Sequence, residues 1–166
     1  FEEKEVSSFL SSSEGNITNQ TYDFYSNGDT ISQLVWSMIL PYINEGGKSR
    51  RVYAVCIIDD HSRMIVGAEL FYHDNAAGFQ KVFKDAVATY NIPAKLLVDN
   101  GAPYANEQLS LICGSIGTAL IHTRPRDGAA KGKQERFWRT AKERLIYGLD
   151  METIQSLKQF NSIFRD

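Results

Sequence analysis

The 166-residue chain has only two cysteines, Cys56 and Cys113. That excludes a disulfide-dense scaffold and a zinc site made from four cysteines. Both lie in apolar stretches and read as buried free thiols of a reducing compartment. No apolar run approaches the 18 or so residues of a membrane-spanning helix. Residues 1–20 lack the basic start and apolar run of a signal peptide, so the sequons at Asn16 and Asn19 are not expected to be glycosylated. Walker loop, Rossmann fingerprint and zinc-finger spacing are all missing. Ser115, in Cys113-Gly114-Ser115-Ile116-Gly117, does not sit in a nucleophile elbow and reads as a plain helix serine. One further lack bears directly on chemistry: residues 31–40 contain no Asp or Glu.

What is present suits one domain with a real core: 43% hydrophobic and 23% charged residues. The net charge of −2 argues against a general polyanion binder, but it averages over a gradient. Residues 1–50 carry seven acids and three bases, giving −4. Residues 121–146 carry eight bases and three acids, giving +5. Such asymmetry hints at a nucleic-acid footprint, against the alternative of a solvated basic helix.

Residues 1–30 are acidic, polar and without sustained period, and read as a loosely ordered lead-in. The apolar stretch 31–43 reads as a strand closed by Pro41 and the turn Asn44-Glu45-Gly46-Gly47. Residues 51–58 and 64–72 form two more strands around the turn Asp59-Asp60-His61-Ser62, making a hairpin. A helix follows, capped by Asp74 or Asn75, with Phe79, Val82, Phe83, Ala86, Val87 and Tyr90 on one stripe. Residues 94–98 are a short buried strand. A second helix carries Leu109, Ile112, Cys113 and Ile116 and stops at Gly117. Residues 119–122 are a fifth strand. A Gly- and base-rich loop, 124–132, leads into a third helix, and 147–166 form another helix or a tail. The order predicts an α/β fold: a mixed five-stranded sheet, three antiparallel strands then two parallel, flanked by helices. It is the order of an RNase H-like domain, though order alone does not exclude other α/β folds.

Functional groups of open α/β sheets gather at strand carboxyl ends. Asp99 sits at such an end, and Gly101 lets the backbone turn there. Glu135 opens the basic helix, with 35 residues between the two acids. Glu135, Arg139 and Lys142 share one helix face, and Lys131 and Lys133 lie just before it. A carboxylate pair ringed by bases suits metal-assisted phosphoryl transfer on nucleic acid. Acids hold hard divalent cations through oxygen, and bases neutralise phosphates. The plainer alternative is a turn acid and an ordinary surface glutamate.

Three stretches in order, Ile57-Ile58-Asp59-Asp60-His61-Ser62-Arg63, Val98-Asp99-Asn100-Gly101-Ala102-Pro103-Tyr104 and Lys131-Gly132-Lys133-Gln134-Glu135-Arg136-Phe137, resemble the catalytic core of integrases and insertion-sequence transposases of the Asp-Asp-Glu superfamily. The likeness spans 41–146, within a core set at 31–146. It implies an RNase H-like fold and metal-dependent DNA cleavage and strand transfer. It implies Asp99 and Glu135 as catalytic ligands of Mg²⁺ or Mn²⁺, and Lys131, Lys133, Arg139 and Lys142 as DNA contacts. It further implies transposon-end and target DNA as partners, a homodimer or higher oligomer of full-length chains, no membrane, and the prokaryotic cytosol or nucleoid as the place of action.

The superfamily's first acid belongs in the first strand, near Trp36 by counting back from Pro41-Tyr42-Ile43, or at Ile39 by counting forward from Trp36. Neither position is acidic. Three readings follow: a degenerate core without catalysis, substitution by Asp29, or an N-terminal segment altered relative to its kin. A non-catalytic DNA-binding remnant and a metal-dependent RNase H-like nuclease are therefore the alternatives to an active core. Asp59 and Asp60 read as turn acids, with Arg63 bracing them. His61 reads as a surface residue, and His122 as facing either DNA or its own neighbours.

Overall fold

The computed structural model describes residues 32–99, 101, 104, 106–122, 139–140, 143 and 146–165. Strand β1 (Ser32–Glu45) and strand β2 (Lys48–Asp59) form a long hairpin. Its two-residue loop is Gly46-Gly47, with φ of 59° and 75°. Both central residues of this turn class need positive φ, which glycine adopts without a Cβ clash. Strand β3 (Ile65–Phe71) pairs antiparallel with β2. Strand β4 (Lys95–Val98) pairs parallel with β1, and β5 (Ala119–His122) parallel with β4. The sheet order is β3-β2-β1-β4-β5. This is the expected mixed sheet.

One expectation changes in detail. Pro41 does not close β1; the strand runs through it to Glu45, with a register shift between Leu40 and Ile43. Proline donates no ladder hydrogen bond, and a bulge absorbs that loss. The pairing of β1 with β4 covers only Ser32 to Leu34, so no described β4 residue pairs with β1 at Pro41.

Helix α1 (Ala76–Tyr90) starts at Asn75, whose side chain accepts from the Gly78 N–H at 2.9 Å. Helix α2 (Glu107–Ile116) starts at Asn106 in the same way, accepting from Leu109 N–H at 2.8 Å. It ends at Gly117, left-handed at φ 75°, whose N–H returns to the last-turn carbonyls. Thr118 Oγ1 then donates to Pro93 O at 2.8 Å, tying the start of β5 to that of β4.

The sheet is covered on both faces. On one, Val35, Val55, Ile57, Leu96 and Val98 pack with Phe79 and Phe83 of α1 and Leu109 of α2. On the other, Leu40, Val52, Ala54 and Leu70 pack with Ile154 and Phe160. Phe160 belongs to helix α3 (Leu157–Arg165), which follows a single 3₁₀ turn at Met151–Thr153. The alternation along β2 places neighbouring residues in opposite cores, so β2 is buried from Ala54 to Asp59.

Candidate active site

Asp99 follows the last residue of β4 and is half-buried. Its Oδ1 accepts from the Gly101 N–H at 2.7 Å, the short-range aspartate turn that its Asp-x-Gly spacing allows. A Cβ at position 101 would lie 2.7 Å from that same oxygen, so glycine keeps the carboxylate seated. The Tyr104 N–H bonds Gly101 O at 3.0 Å, which folds the turn back over the sheet. His122, at the end of β5, brings Nδ1 to 3.4 Å from Asp99 O and is exposed. It therefore packs locally at the same sheet edge.

The parallel ladder pairs Leu34 with Leu97. Carrying that register forward sets Val35 beside Val98 and Trp36 level with Asp99. Ser37 is the next residue of β1. It shares a face with Val35, since Val35 pairs with Ile57 and Ser37 with Val55 in alternate steps of the hairpin. Ser37 Oγ donates to Asp74 Oδ2 at 2.8 Å. Asp74 lies in the turn between β3 and α1 and is exposed. Asn75, not Asp74, is the helix cap, so the Asp74 carboxylate is not spent on backbone donors there.

Tyr104 completes this corner. Its ring is buried, 1% exposed, against Phe79 in an edge-to-face contact of 5.1 Å. Its hydroxyl has no hydrogen-bond partner among the described residues. Burial pushes its pKa well up, and the charges of Asp74 and Asp99 push the same way, while neighbouring Ser37 acts against them. The hydroxyl thus borders Ser37, Asp74 and Asp99. Neither Asp74 nor Tyr104 is singled out by sequence pattern: each earns its place only once β1, β4 and α1 are packed together.

The remaining expected site residues divide. Glu135, Lys131, Lys133 and Lys142 lie outside the described residues, as does Asp29. Arg139 is exposed. Asp59 is buried, with Oδ2 accepting from Ser62 N at 2.7 Å and Ser62 Oγ at 2.6 Å. Arg63 pairs with Asp60 at 2.6 Å. This is turn chemistry, three ladder steps from the level of Asp99. Ile39 is more than half exposed.

Among the described residues no group of three or more His, Cys, Asp or Glu side chains stands ready for a metal. The donors that do gather at the β4 end are all oxygens: the carboxylates of Asp99 and Asp74 and the Tyr104 hydroxyl. That set suits a hard divalent cation and not a thiophilic one. No helix among the described residues is long and apolar enough to cross a membrane.

A family profile described as "Integrase core domain" matches residues 30–127. The fold is similar to that of the bovine immunodeficiency virus integrase catalytic core, with a TM-score of 0.62 at 15% identity, over 82% of this chain and 81% of that one. The catalytic core of HTLV-2 integrase, solved in complex with magnesium as a dimer, gives a TM-score of 0.56 at 12% identity, over 81% and 83%. A chain of the simian T-cell lymphotropic virus intasome, solved with the PP2A regulatory subunit B56 gamma, gives 0.64 at 16% identity. The match there covers 81% of this chain but only 46% of that one. The architecture is the RNase H-like fold of these cores.

Proposed function

This chain belongs to the integrase core domain family, and from that membership we propose that it is the core of a transposase or integrase that cuts DNA and joins its ends to a target. The observation that carries the proposal is Asp99. It stands at the carboxyl end of β4, oriented by Gly101, beside the strand from which the family takes its first acid.

In this reading Asp99 and Glu135 hold Mg²⁺ or Mn²⁺. When bound, such cations act as Lewis acids on the attacking and leaving oxygens of a phosphodiester. The chain's own residues position and shield. Gly101 fixes one oxygen of Asp99, leaving the other to face outward. Tyr104 and Phe79 form an apolar wall under the site, which strengthens electrostatic contacts above it. Lys131, Lys133, Arg139 and Lys142 neutralise backbone phosphates, so DNA affinity falls steeply with salt. No side-chain nucleophile is required, because water and then a DNA 3′-hydroxyl attack. The chain spans less than half of the intasome chain it matches; end recognition and oligomer assembly are assigned to full-length chains, acting in the prokaryotic cytosol or nucleoid.

The test is strand transfer on oligonucleotide duplexes with Mg²⁺ or Mn²⁺. Activity is expected to vanish in Asp99→Asn and in Glu135→Gln; turnover that persists in either removes the proposed site. The acid-free stretch 31–40 favours a second reading, a DNA-binding remnant. Salt-dependent DNA binding by an inactive wild-type chain selects it.

A further inference from the structure

We propose that Asp74, from the turn between β3 and α1, supplies the carboxylate that β1 lacks and binds a divalent cation together with Asp99. The proposal rests on the reading of Asp99 as a metal ligand and names its partner.

Three observations converge. First, Asp74 reaches β1 directly: its Oδ2 accepts the Ser37 hydroxyl at 2.8 Å. Ser37 is one residue beyond the point where the β1–β4 register comes level with Asp99. Second, the Tyr104 hydroxyl is buried and unpartnered among the described residues, and it borders both carboxylates. A buried hydroxyl without a partner costs about 1–3 kcal/mol. A hydrated cation between the two acids supplies the missing acceptor through its water. Third, Asp74 is exposed and free of helix-capping duty, because Asn75 performs it. Two carboxylates facing one small region repel each other, and a divalent cation converts that repulsion into attraction.

A purely structural Asp74 is the competing explanation: its carboxylate would serve only to brace Ser37. Two substitutions separate the roles. Asp74→Asn keeps an oxygen that accepts the Ser37 hydroxyl but removes the charge. Ser37→Ala removes the brace but keeps the charge. The measurement is Mn²⁺ binding to the 166-residue chain, by calorimetry and by loss of the free-ion electron spin resonance signal, with circular dichroism to verify folding.

Asp74→Asn and Asp99→Asn are each expected to weaken Mn²⁺ binding about tenfold or more, and Ser37→Ala is expected not to weaken it. Wild-type affinity in Asp74→Asn, alongside loss in Asp99→Asn, overturns the role of Asp74 and leaves the Asp99 reading standing. Wild-type affinity in Asp99→Asn overturns both. Equal weakening by Ser37→Ala and Asp74→Asn, or no Mn²⁺ binding by wild type, also overturns the proposal, while strand transfer tests the wider reading separately.

Discussion

Asn161 of α3 pairs with Leu70 of β3 as though it were another strand. The Leu70 N–H donates to Asn161 Oδ1 at 2.8 Å, and Asn161 Nδ2 donates to Leu70 O at 3.1 Å. β3 is an edge of the sheet, and unpaired edges invite pairing with other chains. One side-chain amide satisfies both backbone groups and docks α3 over the second core. Asn161→Ala is expected to destabilise the fold by about 1–3 kcal/mol. Denaturant midpoints check the loss; static light scattering checks whether the opened edge also promotes association.

Tyr104 carries two separable contributions. Its ring fills the corner against Phe79, while its hydroxyl is buried without a partner among the described residues. Removing the ring is expected to cost about 3–5 kcal/mol, as for other large aromatic truncations. Removing only the oxygen is expected to leave stability unchanged or higher. Urea unfolding of Tyr104→Ala and Tyr104→Phe tests this. A Tyr104→Phe chain clearly weaker than wild type shows that the hydroxyl is held by a favourable interaction after all.

Gly67 is where β3 and α1 come closest. A Cβ there would lie 2.8 Å from Val82 Cγ1 and 3.2 Å from Val82 O. The Val82 side chain has little freedom to retreat, because a β-branched residue in a helix is confined to essentially one rotamer. Gly67→Ala is expected to destabilise by about 1–3 kcal/mol through overpacking. Pairing it with Val82→Ala is expected to recover part of that loss, and a double-mutant cycle measures the coupling.

Local chemistry made most of the fold legible. The Gly46-Gly47 turn, the apolar stripe from Phe79 to Val87, the Asn75 cap and the Gly117 stop each write their structure within a few residues. The passage of β1 through Pro41 was not legible, since it depends on a bulge against β2 and on what stands on the strand's other side. The same distinction governs the site. Asp99 announces itself through the adjacent Gly101. Asp74 meets Ser37 across 37 positions of chain, a proximity that no spacing rule encodes. An orphaned hydroxyl on Tyr104 is likewise invisible until its surroundings are packed. Glu135 and the basic residues before it remain readings of sequence alone.

Cys56 lies at the centre of β2 and is fully buried. Burial pushes its thiol from 9.0 up to about 12, because the thiolate has no water to solvate it. The folded state therefore holds the proton over a range where the unfolded chain releases it. Its contribution to stability is full below pH 9 and is lost as pH rises from about 9 toward about 12, at up to roughly 1.4 kcal/mol per pH unit. Cys56→Ala removes that titration and adds a cavity penalty that does not vary with pH. The stability gap between wild type and Cys56→Ala is thus expected to narrow steadily above pH 9 in urea unfolding series. At pH 8 the native wild-type chain is expected to resist a thiol-exchange reagent at Cys56 and at buried Cys113. A gap independent of pH, or prompt labelling of Cys56 in the native state, shows that solvent reaches the middle of the sheet.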